Sequence, residues 1–274
     1  MKADLVSGTL VRVRPIGALA QEPPGLGIID GDEVFAVDGS LAEIHAAQKK
    51  GSLHRGPSLG SLSELELLAP VTPSKIICVG LNYLRHAEEM NKPVPDEPLI
   101  FSKPPSAIIG PGEAILLPAQ SQEVHHEGEL AIIIGERLKD ATREQSHQAI
   151  LGYTCACDVT ARDIQRREQR YTRAKGFDTF LPLGPAIALA SGFEPSQAHL
   201  SSHVGDQLRQ QSRLDDFIFS IEEVLSFISS VMTLVPGDLI LTGTPHGVGP
   251  ILHGETLRVT ISGIGTLENP VLRP

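Results

Sequence analysis

Apolar residues along this chain gather in short runs of four to seven residues. That is the length of buried strands, and such runs are far commoner here than the three-and-four spacing of a helix. They stand at 75–80, 130–135, 151–157, 186–190, 238–241 and 257–261, and each predicts a strand. Helical periodicity is confined to a few stretches. Ile221, Val224, Leu225, Ile228 and Met232 form a stripe that Pro236-Gly237 ends, and Thr160 with Asp163 reads as a capping box opening a helix through Arg170. Strands outnumber helices and do not alternate with them. This argues against a doubly wound sheet and for a mainly β chain with some helices, of the α+β class.

The first 70 residues look like a small β-rich unit, with strand-like runs at 9–13, 27–29 and 34–37, a Gly/Asp turn at 30–32 and a helical stretch over 41–50. The segment APVTPS at 69–74 carries two prolines just before the run KIICVG. It marks a boundary between an N-terminal unit, 1–70, and a main domain, 71–274.

Composition changes the picture mainly by exclusion. A net charge of -10 disfavours nucleic acid and anionic membrane as partners, because both require clustered Lys and Arg. The opening MKADLVSGTLVRVRP has no apolar signal-peptide core, and no run approaches the ~18 apolar residues of a membrane helix. A cytoplasmic location is the expectation. Cys78, Cys155 and Cys157 cannot all pair, and reduced thiols are expected; Cys155 and Cys157 share a strand face as small buried hydrophobes. Three motif-like patterns fail on context. Gly56-Pro-Ser58-Leu-Gly60 lacks a preceding strand, Gly25-Leu-Gly27 lacks the third glycine of a dinucleotide loop, and His199 with His203, at helical spacing, lack a zincin glutamate.

The chemistry-bearing residues cluster elsewhere. In EGELAIIIG, Glu127 and Glu129 are two apart on a predicted strand and therefore share a face. Two carboxylates side by side on an apolar strand are costly unless a cation, a proton or a base neutralises them, and a divalent cation is the economical choice. Asp158 follows the run ending at Cys157 and offers a third hard oxygen donor. His86 and Glu89 are three apart on a helical turn, where a carboxylate orients an imidazole as a general base; a plain surface turn is the alternative. Arg162 and Gln165 can face the same way as Asp158, and Lys175 lies in a Gly-containing loop, where it is either solvated or a cation beside the carboxylates. In PGDLILTGTPHGVG, Gly243 and Thr244 follow a strand, in a turn that is either a plain hairpin or a place where backbone amides approach a ligand carboxylate.

The ordered set NYLRHAEE, FSKPPSA, EGELAIIIG, GYTCACDVTARDIQ, KGFDTFLPLGP and GDLILTGTPHGVG resembles the fumarylacetoacetate hydrolase family from about Lys75 to the C-terminus. The resemblance implies a mixed β-sandwich rolled into a barrel-like catalytic core, a Mg²⁺ or Mn²⁺ site, a small 2-oxo acid substrate and a homodimer. It also implies that Glu127, Glu129 and Asp158 ligate the metal, and that His86 with Glu89 activates water on a mobile lid. Arg162, Gln165 and Lys175 would lie near metal and substrate, with Gly243 and Thr244 as substrate contacts. Two features depart from the family pattern. The stretch between Asp158 and Lys175 is shorter than in some acylpyruvate-cleaving members, and His126 stands where an aromatic Tyr is common. The implied activity is hydrolysis of a C–C bond in an acylpyruvate-like 2,4-diketo acid. Its rivals are decarboxylation of oxaloacetate or a related diacid, 2-hydroxyhepta-2,4-diene-1,7-dioate isomerisation, and a silent metal-binding protein.

Overall fold

The computed structural model describes residues 5–19 and 22–274. Its centre is an antiparallel pair, Gly128–Ile134 and Ile150–Cys157, in which every residue of both strands is buried. Alternation sends Leu130, Ile132 and Ile134 into one hydrophobic core and Ala131 and Ile133 into another. That is why the sequence reads as a continuous apolar run: both faces of the sheet are covered, so neither needs polar residues. On the first side lie the five-stranded sheet that includes His199–Val204, Thr256–Ile261 and Gly265–Leu272, and the helix Ile221–Val231. On the other side the helix Leu41–Lys49 contributes Ile44, beside Leu10, Ile28 and Val71.

The pair belongs to a larger mixed sheet. Leu239–Leu241 runs antiparallel to Gly128–Ile134, Ile76–Gly80 runs parallel to Leu239–Leu241, and Leu99–Lys103 closes that edge. In the other direction Leu181–Leu189 pairs with Ile150–Cys157, and Leu10–Pro15 pairs with Leu181–Leu189 through Leu10 and Ile187. The N-terminal strands Gly25–Asp30, Glu33–Ala36 and Ser58–Ser61 extend this same sheet. No helix among the described residues is long and apolar enough to cross a membrane.

Strand direction sets the place of the functional groups. Gly128 opens one strand and Cys157 closes its neighbour, and the two are register partners. The residues just outside them, Glu127 and Asp158, therefore meet at one end of the pair, where the Asp158 N–H donates to the Glu127 carbonyl at 2.8 Å. Leu239–Leu241 and Ile76–Gly80 finish at that same end and deliver Gly243 and the His86 helix to it.

One helical expectation is corrected. The helix placed between Thr160 and Arg170 spans only Arg162–Glu168, ends at Gln169 in the left-handed region (φ 49°), and is followed by a second helix, Tyr171–Lys175. No capping box forms, because tertiary partners take both side chains. Thr160, in a short strand, accepts from the Lys175 ammonium at 2.9 Å, and Asp163 accepts from the Ser121 hydroxyl at 2.6 Å. His199 and His203, the pair set aside as a metal motif, lie on the strand His199–Val204.

Close strand approach depends on Gly152. A Cβ there would stand 2.4 Å from the Ala188 carbonyl oxygen and 2.6 Å from Ile187 Cγ2, both on the neighbouring strand. Overpacking of this kind costs about 1–3 kcal/mol. Gly152→Ala is expected to lower the urea midpoint correspondingly without changing the slope of the transition; an unchanged midpoint would show that the strands separate freely.

Candidate active site

Glu127, Glu129 and Asp158 each bring one carboxylate oxygen to within 4.8 Å of the others, and all three are buried. Their neighbours are cationic. Lys175 donates to Glu127 Oε2 at 2.8 Å, to Asp158 Oδ2 at 2.5 Å and to the Thr160 hydroxyl at 2.9 Å. Arg162 donates to Glu127 Oε1, and Lys103 donates to Asp158 Oδ1 at 2.9 Å and to the Lys175 carbonyl. Lys175 is 3% exposed and Lys103 is 2% exposed, so these ion pairs are effectively dry.

Glu129 is the exception. Its Oε2 accepts from the Gly243 N–H at 2.7 Å, and no Lys or Arg among the described residues pairs with it. Burial, reinforced by the negative charges of Asp158 and Glu127, pushes its pKa well above the usual carboxylate range. Glu127 goes the other way. Burial alone would raise it, but the charges of Lys175 and Arg162 prevail and hold it well below that range. For Lys175 burial is likewise overcome, by Asp158 and Glu127, and its pKa is raised. A site with three convergent hard oxygens, one of them lacking a cation, fits Mg²⁺ or Mn²⁺. The donor set contains no thiolate or imidazole, which disfavours zinc.

The second half of the site is the short helix Leu84–Glu89. His86 Nδ1 lies 3.0 Å from Glu89 Oε2, and because a carboxylate accepts, Nδ1 carries the proton. The Nε2 of His86 has no protein partner among the described residues, while Glu89 Oε1 is fixed by the Gly247 N–H at 3.0 Å. His86 is buried, so the surface-turn alternative is set aside.

One pocket gathers His86, Glu127, Glu129, Asp158, Arg162 and Lys175, with Gln165 and Thr244 on its wall. Glu89 stands behind His86, and Gly243 reaches the pocket through its bond to Glu129. The loop expected around Lys175 is instead the last turn of the helix Tyr171–Lys175, which carries the ammonium inward. Arg162 Nη1 and Gln165 Oε1 are 2.6 Å apart. Thr244 donates to the Gly128 carbonyl at 2.8 Å and accepts from Gln210 at 2.7 Å, which ties the turn to the central strand. His126 points away from the pocket, 3.4 Å from the Ser202 hydroxyl, and burial lowers its pKa to about 4.

Sequence reasoning missed Lys103 and Gln210. Lys103 stands inside FSKPPSA, where a Lys before two prolines reads as a solvated loop residue. Gln210 sits on the polar edge strand Gln207–Arg213, which gave no apolar signal.

Sequence comparison agrees with this architecture. Residues 75–272 match the family model of the fumarylacetoacetate (FAA) hydrolase C-terminal domain, and the chain belongs to the fumarylacetoacetate hydrolase family. The mitochondrial oxaloacetate tautomerase fahd2 of Xenopus laevis is 41% identical over 234 residues, which is 81% of this chain and 73% of that protein. The crystal structure of 5-carboxymethyl-2-hydroxymuconate delta-isomerase from Mycobacterium smegmatis superposes with a TM-score of 0.85 at 42% identity, covering 97% of this chain and 100% of that one. The crystal structure of maleylpyruvate hydrolase from Sphingobium sp. SYK-6, in complex with manganese(II) and pyruvate, superposes with a TM-score of 0.78 at 31% identity, covering 97% and 99%.

The raised pKa of Glu129 would make metal binding at these carboxylates proton-linked. Below that pKa the metal-free carboxyl is protonated, and a cation must displace the proton. Calorimetric titration with Mn²⁺ is expected to show one site, proton release, and affinity that weakens as pH falls. Glu127→Ala and Asp158→Ala are expected to abolish binding; retained binding in both, or affinity that rises toward acid pH, would exclude these ligands.

Proposed function

We propose that this chain is a divalent-metal-dependent enzyme that takes a 2-oxo acid through its enolate, and that it hydrolyses a C–C bond in an acylpyruvate-like 2,4-diketo acid. The observation that carries this reading is that His86, bonded to Glu89, lines the same pocket as the three carboxylates. Glu127, Glu129 and Asp158 would hold Mg²⁺ or Mn²⁺. Bound there, the ion supplies Lewis-acid polarisation of the substrate's keto oxygen and charge to offset the developing enolate.

The remaining work belongs to the chain's own side chains. Glu89 holds Nδ1–H of His86, which leaves Nε2 to take a proton from water. The water oxygen adds to the distal carbonyl, and the C–C bond breaks. Its electron pair passes to a pyruvate enolate, which is reprotonated at carbon. Lys175 fixes Glu127 and Asp158 and places an ammonium where negative charge grows. Arg162 and Gln165, joined at 2.6 Å on the pocket wall, present donors for the substrate carboxylate.

A second reading is tautomerisation or double-bond isomerisation of a 2-oxo dicarboxylate. It is favoured by the names of the relatives at 41% and 42% identity, an oxaloacetate tautomerase and a 5-carboxymethyl-2-hydroxymuconate delta-isomerase, against 31% for the maleylpyruvate hydrolase. Here His86 moves a proton between carbon and oxygen, and no water attacks. Decarboxylation of oxaloacetate shares the enolate and also needs no attacking water.

Acetylpyruvate, oxaloacetate and 2-hydroxyhepta-2,4-diene-1,7-dioate assayed with Mg²⁺ and Mn²⁺ separate these reactions. Loss of a general base typically costs about 10²–10⁴ in rate, and His86→Ala is expected to lose that much acylpyruvate hydrolysis while still binding Mn²⁺ and oxalate. Rapid enol–keto conversion without cleavage would select the second reading. Wild-type cleavage by the variant would remove His86 from the mechanism.

A further inference from the structure

Three Lys or Arg residues line the pocket that holds the carboxylates: Lys92, Arg162 and Lys175. Arg162 and Lys175 are engaged, both on Glu127 and the second also on Asp158. Lys92 has no carboxylate partner among the described residues and is exposed, whereas the carboxylates are buried. The pocket therefore has a neutralised floor and an uncompensated cation toward its mouth.

The position of Lys92 is not a loop accident. The helix carrying His86 and Glu89 ends with Met90 as its cap, and Asn91 then takes the left-handed conformation (φ 51°). The Asn91 N–H donates to the Glu88 carbonyl and the Lys92 N–H to the Ala87 carbonyl, each at 3.0 Å. This pair of bonds is a Schellman closure, in which the residue two past the cap folds back over the last turn. Asn is among the few non-Gly residues that take this backbone conformation readily. Lys92 is thereby fixed to the same short unit that carries the proposed base.

We infer that Lys92 is a specificity-determining residue that receives the distal carboxylate of a 2-oxo dicarboxylate whose 2-oxo acid end lies against the carboxylate cluster. The inference rests on the reading of the site as a 2-oxo acid site and deepens it by naming diacids as the favoured class. An extended diacid places its two charged ends apart, and only the inner end can use Arg162, Gln165 and a cation that the carboxylates would hold. The outer end requires a donor at the mouth, and Lys92 is the cation there that no internal ion pair has claimed. A monoacid such as acetylpyruvate gains nothing from it.

The test uses Mn²⁺-loaded protein and three calorimetric probes: oxalate, which has no tail, 2-oxobutyrate, with an uncharged tail, and 2-oxoglutarate, with a charged one. A charge-assisted contact at an exposed position is worth about two- to fivefold in affinity. Lys92→Gln is expected to weaken 2-oxoglutarate by that factor and leave 2-oxobutyrate and oxalate unchanged, and Lys92→Arg is expected to retain most of the preference. Equal loss for all three probes would assign Lys92 a structural role, and no loss for any would remove it from recognition; both overturn the inference while leaving the 2-oxo acid reading intact. If none of the probes binds the metal-loaded wild type, the 2-oxo acid reading fails and the inference fails with it.

Discussion

The site depends on one electrostatic arrangement: three buried carboxylates balanced against buried cations. Glu127, Glu129 and Asp158 share a volume in which like charges repel and water cannot screen them. Lys175 bridges two of them, Arg162 satisfies the outer oxygen of Glu127, and Lys103 takes the other oxygen of Asp158. Removing one partner from a buried network of this kind strands a charge at a typical cost of about 3–5 kcal/mol. Such a cluster is a weak stabilising device, since apolar residues of similar volume would do as well or better. Its retention at the end of a well-packed sheet argues for use, and the asymmetry within it points to the use. The cations pair with Glu127 and Asp158 and leave Glu129 with the Gly243 N–H alone, so Glu129 is the carboxylate of the three that no internal ion pair has claimed.

The sheet makes the arrangement possible by bringing several strand ends to one place. Because Gly128 and Cys157 are register partners, Glu127 and Asp158 are neighbours without any loop having to find its way. The strands beneath are buried on both faces and differ in what they meet, one core cluster on each side. Rigidity of the floor follows from that double burial. Glu129 is held by the strand ladder itself and Glu127, one residue outside it, by the Asp158 N–H on its carbonyl, and positions fixed in this way are more exact than positions on loops.

What the sequence displayed, and what it hid, follows from the same physics. Glu127 and Glu129 were legible because two carboxylates at strand spacing inside an apolar run must share a buried face, and Asp158 because it closes the next such run. The His86–Glu89 pair was legible as spacing but ambiguous as setting, since only tertiary packing reveals that His86 is buried. Buried strands announced themselves, whereas the strand Gln207–Arg213, at a sheet edge with mostly exposed residues, did not. Lys103 was hidden for a related reason: its partners, Asp158 and the Lys175 carbonyl, are 55 and 72 residues away, and no local pattern encodes them. The false helix start at Thr160 shows the converse, where a valid local signal lost to Lys175 and Ser121 as competing partners.

The two halves of the site are joined at one turn. A helix as short as Leu84–Glu89 does not persist alone, and its cap residue, Tyr83, makes no side-chain capping bond. Its position is therefore set by what holds its entrance. Asn82 donates to the Thr242 carbonyl at 2.9 Å and accepts from the Phe219 N–H at 2.8 Å. The next residue after Thr242, Gly243, gives its N–H to Glu129, and Thr244 bonds to Gly128. Gly243 has a φ of 96°, and a Cβ on it would stand 2.9 Å from Asn82 Cβ and 3.2 Å from the Val79 carbonyl oxygen. Only glycine meets both demands, the left-handed backbone and the close approach. The consecutive residues 242–244 thus fix the carboxylate that lacks a cation and, through Asn82, the entrance to the helix that carries His86. The spacing between the carboxylate cluster and the proposed base is set by backbone contacts at this turn, not by the charged side chains themselves.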